Sequence, residues 1–215
     1  MYYNTVNEHL KNALLSLMKS EVFIPFRLVG GTALSLQLGH RISVDIDLFT
    51  DAPYGSIDFK TIDQFIENSF DYHKHFSNSN TGIGKSYAIG VDKTNAIRLD
   101  VFYTDNFIQP ALVIDDIRMA TIEEITAMKI DVIQRGGRKK DFWDLHELFD
   151  KYDLSKMLSL HQERYPYTHN KDLILKNLID FSPAENDFDP ICLLGKYWEF
   201  IKEDITDIVN AFQRM

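Results

Sequence analysis

Two acids one residue apart on a strand project from the same face, and Asp45 and Asp47 stand so in SVDIDLFT, residues 43–50. Val44, Ile46 and Leu48 alternate with them and point the other way. A strand that only had to pack has no use for two carboxylates on one side. Two carboxylates this close can share divalent metal ions. Mg²⁺, or Mn²⁺ in its place, takes carboxylate oxygens and keeps some of its water. Nucleotidyl transfer needs such ions to neutralise phosphate charge and align attack with the leaving pyrophosphate. A third acid on a neighbouring strand would complete the metal site. Asp100 is the candidate: in NAIRLDVFYT (95–104) it lies opposite the face formed by Ile97, Leu99, Val101 and Tyr103. Upstream, Gly30-Gly31-Thr32 opens a short apolar helix. Glycines let backbone approach phosphate closely, and the first turn of a helix offers free N–H groups and its positive end. Paired acids or a lone Gly-Gly are commonplace separately. In this order, with a short helix between them and a later third acid, they point to a nucleoside triphosphate and its metal.

The elements that must position these residues follow from periodicity. Val6, Leu10, Leu14, Leu17 and Met18 predict an amphipathic helix over 5–20. FRLV (26–29) reads as a short strand, and GGTALSLQLG as a turn and a helix closed by Gly39. Residues 57–69 read as a helix; KSYAIGV and NAIRLDVFYT read as strands joined by a turn at DKTN. The second half is helical. TIEEITAMKIDVIQR carries Thr121 three residues before Glu124, a capping-box pattern, and Gly136-Gly137 ends that helix. KKDFWDLHELFDKY starts another, 155–164 and 170–180 read as helices, 182–190 as a loop and 191–213 as a closing helix. The fold class expected is α+β. Residues 1–118 form a mixed α/β core and residues 119–215 a helical C-terminal domain.

Composition narrows the partners. A net charge of -9 disfavours broad non-specific binding to nucleic acid but leaves room for a local basic site. Cys192 is the only cysteine, so there is no internal disulfide and no cysteine-cluster zinc site. With no apolar run long enough to span a bilayer and no signal-peptide layout, the expected location is the cytoplasm, without a membrane partner.

The segment GGTALSLQLGHRISVDIDLF resembles the signature of the AbiEii/AbiGii toxin family of the nucleotidyltransferase superfamily. That signature begins Gly-Gly-Thr-Ala-Leu, continues Gly-His-Arg and ends Asp-x-Asp-Leu-Phe, and Gly30–Leu34, Gly39–Arg41 and Asp45–Phe49 match in turn. Downstream, MKIDVIQRGGRKKDFWDLHEL is similar to a second family segment, matched at Lys129, Arg135, Lys140, Asp141, Asp144 and Leu145. The resemblance covers roughly residues 25–150 and leaves the C-terminal third outside it. It implies a polymerase-β-like nucleotidyltransferase core with a helical C-terminal region. It also implies a toxin of an abortive-infection or toxin–antitoxin pair, with a cognate antitoxin as partner and an RNA acceptor such as transfer RNA.

The second segment has chemistry of its own. Lys129 shares a helix face with Ile125 and Ile133. Alone it reads as a snorkelling lysine whose stem packs and whose ammonium reaches water. The resemblance makes it a candidate contact to the triphosphate. Between Arg118 and Lys140 six basic residues face three acidic ones, so Arg135, Arg138, Lys139 and Lys140 could bind phosphates of the nucleotide or of an RNA. Asp141 and Asp144 read as acids of a first helical turn, which the helix dipole favours. The family match adds a role for Asp141 in orienting Lys129 or the acceptor. His40 and Arg41 read as buttresses of the turn before the metal strand. Two other readings compete: a small-molecule, aminoglycoside-type nucleotidyltransferase, which the basic 135–140 segment disfavours, and a non-catalytic nucleotide- or partner-binding module, which intact Asp45, Asp47 and Asp100 disfavour.

Overall fold

A computed structural model of the chain describes residues 1–76 and 82–214. Seven strands form one mixed sheet: β1 (Arg27–Leu28), β2 (Asp45–Thr50), β3 (Tyr72–His75), β4 (Gly84–Gly90), β5 (Ile97–Tyr103), β6 (Leu112–Ile114) and β7 (Ile117–Met119). Their order is β3-β4-β5-β2-β1-β7-β6. The pairs β2–β5 and β1–β7 are parallel and the others antiparallel. The α+β class expected from the sequence is the class observed.

Helix α1 (Glu8–Lys19) lies against β2 and β7 and buries Leu10, Leu14 and Leu17. It starts three residues later than expected because the Asn7 side chain accepts the Leu10 N–H at 2.8 Å and caps it there. Helix α2 (Gly30–Leu38) begins directly at the glycine pair and ends at Gly39, which takes the left-handed conformation. Helix α3 (Phe59–Ser69) packs on β4 through Ile62 and Ile66. After β7 come α4 (Ile122–Gln134), α5 (Lys139–Phe149), α6 (Leu154–Arg164), α7 (Lys171–Leu178) and α8 (Trp198–Gln213). Helix α4 touches α2, α5, α6 and α7, so it carries the helical half against the strand-bearing half.

Alternation in β2 and β5 gives each strand a dry face and an open one. Ile46, Leu48, Leu99 and Val101 are fully buried, whereas Asp45, Asp47 and Asp100 keep partial access to solvent. Two local readings need revision. The capping box at Thr121 is half formed: its hydroxyl accepts the Glu124 N–H, but the Glu124 carboxylate turns to the Ile108 and Gln109 N–H groups and to Arg164. The last helix starts at Trp198, because 191–193 is drawn to 40–42 by backbone hydrogen bonds from Ile42 N–H to Ile191 and from Leu193 N–H to His40. Strand β3 and the β6–β7 hairpin add to the strands expected from the sequence; at three or four residues each they are too short to show a period.

Candidate active site

Asp47 stands opposite Asp100 in the register of the parallel pair β2–β5, and Asp45 stands opposite Arg98. Neighbouring strands lie about 4.8 Å apart, so the like charges of Asp47 and Asp100 crowd one another. Burial, then Asp100, then Asp45 push the Asp47 carboxyl up to about 6. Cations answer the other two acids. Arg98 Nε lies 3.1 and 3.0 Å from the two Asp100 carboxylate oxygens, and Lys140 Nζ lies 3.5 Å from Asp45 Oδ2.

The start of α2 sits over these acids. Gly30 has φ +68°, and a Cβ there would come within 2.6 Å of Asp47 Oδ2. A Cβ on Gly31 would collide with the Arg41 guanidinium. Both glycines therefore answer to the side chains beneath them as well as to any ligand. The Val29 N–H donates to the Asp47 carbonyl at 2.9 Å, and the Thr32 hydroxyl donates to the Asp45 carbonyl. Thr32 also meets Ser43 Oγ at 2.8 Å and is buried, so its side chain fastens α2 to β2.

A cavity of about 700 Å³ opens between this face and the α4–α5 corner. Gly30, Gly31, Asp45, Asp47, Lys129, Arg135 and Asp141, all singled out from the sequence, line it. Thr32 and Asp100 do not: the hydroxyl of the first is spent inside the fold, and the carboxylate of the second is turned to Arg98. Among the described residues no three His, Cys, Asp or Glu side chains converge into a preformed metal cluster. The donor set nevertheless suits a hard cation: three carboxylates share one face, and burial together with crowding among them holds Asp47 near 6.

Lys129 does not snorkel. It is buried, with Nζ 2.7 Å from Asp141 Oδ1 and 2.6 Å from Asp144 Oδ2. Burial opposes its ammonium, but the two aspartates outweigh it and lift its pKa above the ordinary value. Asp141 does cap α5, its Oδ2 accepting the Arg138 N–H at 3.0 Å. Asp144 does not cap: α5 begins at Lys139, so Asp144 falls in its second turn and Asp141 alone is the first-turn acid. Asp144 is fully buried and binds His40 Nε2 at 2.7 Å and Arg41 at 2.6 and 2.8 Å. Burial would raise its pKa, yet Arg41 and Lys129 hold it well below the usual carboxylate range. Arg41, Lys129, Asp141 and Asp144 thus form a charge-balanced network in the cleft wall.

The basic segment divides. Arg135 pairs with Asp131 one turn back and keeps much of its side chain in water. Arg138 and Lys140 line the cleft. Lys139 is buried away from it, with Nζ 3.0 Å from Asp189 Oδ1 and 5.3 Å from the Trp198 ring centroid. Arg41 and Asp144 are the residues whose weight sequence reasoning missed; their places in the two segments that resemble the family signature were the available signal.

A family model described as "Nucleotidyl transferase AbiEii toxin, Type IV TA system" matches residues 12–214, so the likeness extends well into the C-terminal third. An uncharacterized protein of Aquifex aeolicus (strain VF5) is 29% identical over 226 residues, covering 90% of each chain. Among solved structures, a putative nucleotidyltransferase from H. pylori superposes with a TM-score of 0.61 at 17% identity, over 95% of this chain and 92% of that one. The nucleotidyltransferase toxin MenT4 from Mycobacterium tuberculosis H37Rv gives 0.56 at 15% identity, over 94% and 82%. The core is that of a polymerase-β-like nucleotidyltransferase.

Proposed function

Because the chain belongs to the AbiEii family of nucleotidyltransferase toxins, we propose that it transfers a nucleoside monophosphate from a nucleoside triphosphate to an RNA acceptor, such as a transfer RNA. The triphosphate lies in the cleft between the strand-bearing part, residues 1–118, and the helical part, residues 119–215. A cognate antitoxin restrains the protein, and both act in the cytoplasm. Among the described residues no helix is long and apolar enough to cross a membrane. The observation that carries this reading is the direct register of Asp47 with Asp100, with Asp45 beside them, under the glycine start of α2.

Asp45, Asp47 and Asp100 would hold Mg²⁺ or Mn²⁺. When bound, the metal neutralises phosphate charge and favours departure of pyrophosphate. The first N–H groups of α2 at Gly30, Gly31 and Thr32 have no acceptor within the helix and cradle the phosphates. Arg135 flanks the same space and adds positive charge at its rim. Lys129 has three N–H donors. Asp141 and Asp144 take two and aim the third at the cleft, with Asp141 acting as the orienting group. The acceptor hydroxyl gives its proton to an Asp100 carboxylate oxygen once that carboxylate leaves Arg98. Its oxygen bonds to the α-phosphorus as the bond to the bridging oxygen breaks.

Incubation with Mg²⁺, total RNA and each labelled nucleoside triphosphate tests the proposal. Label should enter RNA in the wild type and not in Asp45→Asn/Asp47→Asn. Failure to label RNA from every triphosphate would sink the reading.

A further inference from the structure

A second cavity, of about 350 Å³, adjoins the main cleft at Arg138 and Lys140. The two cavities share Arg41, Ser43, Asp45, Arg138 and Lys140, so Asp45 is approached from both. The outer wall of the second is the segment from Asp187 to Ile191. Phe188, in its middle, is 99% exposed. An aromatic ring in water contributes nothing to a core, and a flexible loop would let it fold back. This loop is anchored on both sides of the ring. The Asp187 carboxylate accepts the Lys139 N–H at 3.1 Å, the Asp189 carboxylate meets Lys139 Nζ at 3.0 Å, and the Ile191 carbonyl accepts the Ile42 N–H at 2.9 Å. The two loop acids are therefore spent on Lys139. Of the cations that line the cavity, Arg41 is held by Asp144, whereas Arg138 and Lys140 are paired more loosely, with Asp141 at 3.8 Å and Asp45 at 3.5 Å.

We infer that this second cavity is the acceptor subsite: the end of a single-stranded RNA enters there, a base stacks on Phe188, and Arg138 and Lys140 take its backbone phosphates. A fixed, solvent-facing aromatic beside loosely held cations is the surface that single-stranded nucleic acid recognises, since every base has a π-face and every linkage a charge. The connection to Asp45 places the strand's terminal hydroxyl beside the acids while the triphosphate fills the main cleft. A protein docking on the same apolar residues would not need those cations. The inference rests on the nucleotidyltransferase reading above and assigns its second substrate a place.

The test uses the full chain. Binding of a fluorescein-labelled single-stranded oligoribonucleotide of about ten nucleotides is followed by anisotropy, and nucleoside triphosphate binding with Mg²⁺ by calorimetry. Phe188→Ala should weaken oligonucleotide binding about fivefold or more and leave triphosphate affinity unchanged. Phe188→Trp should restore it, which a general loss of structure would not allow. Oligonucleotide affinity of Phe188→Ala within about twofold of wild type would overturn the inference and leave Phe188 to a protein partner. A wild type that binds triphosphate but no oligonucleotide overturns the inference alone. A wild type that binds neither overturns the nucleotidyltransferase reading as well.

Discussion

Asp47 and Asp100 face each other in register across the parallel strands β2 and β5, two like charges with Asp45 one alternation away. Burial and these neighbours set the Asp47 carboxyl at about 6. Such a face is unsettled until a cation reaches it, and its discomfort is measurable.

In metal-free protein, Asp47→Asn should be stabilising at neutral pH. The Asp47 pKa is raised in the folded state, so between about pH 4 and pH 6 the folded chain binds more protons than the unfolded one. The penalty is absent below this window and complete above it. The stability of Asp47→Asn minus wild type should therefore grow by about 3 kcal/mol as pH rises through the window and stay level beyond it. Chemical denaturation at several pH values, with chelator present, reads it. A difference that does not change with pH would contradict the crowding of these acids.

Metal should reverse that preference. Mg²⁺ with a nucleoside triphosphate should raise the melting temperature of wild type and not that of Asp45→Asn/Asp47→Asn. The double variant should bind metal-loaded triphosphate at least about tenfold more weakly, roughly 1.4 kcal/mol. Equal calorimetric affinities in the two proteins would remove these acids from the site.

Lys129→Met should cost stability as well as activity. It retains the packed stem but leaves Asp141 and Asp144 buried without their ammonium. Breaking a buried pair costs about 3 kcal/mol or more, which for a chain of this length lowers the melting temperature by about 6–12 °C. Arg135→Met, at a mostly exposed side chain, should change stability by less than about 1 kcal/mol and weaken triphosphate binding. A silent melting curve for Lys129→Met would show that the network contributes little.

Gly31→Ala should act on Arg41. The added Cβ meets the guanidinium, which must shift off Asp144. The expected result is a fall in stability of about 1–3 kcal/mol, with Arg41→Lys in the same background recovering part of it because the shorter head leaves room. No recovery would mean that Gly31 answers only to backbone or ligand.

What could be read beforehand was what is local. The alternation of Asp45 and Asp47 needs one strand's period, and the apolar residues around Asp100 gave its opposite face. The Gly39 helix end and the Gly136 helix stop likewise lie within a few residues of their causes. Arg41 and Asp144 lie 103 residues apart in sequence, and nothing near either one announces the other. Helix-dipole reasoning accounted for Asp144 too cheaply, because a terminal acid and a buried hub look alike in sequence. Lys139 shows the converse: a run of four cations at 135–140 reads as one patch, yet helix geometry sends Lys139 inward to Asp189 and Trp198.

The bonds from Val29 to Asp47 and from Thr32 to Asp45 stitch the acid strand and the helix start into one unit, and Arg41 rivets that unit to Asp144 on α5. A cleft built this way is preorganised. These bonds set the walls against one another when the chain folds, so the entropy of ordering them is lost at folding and does not weigh on ligand binding. A ligand entering such a cleft meets walls that are already braced, and its binding energy goes to contacts rather than to assembling the site.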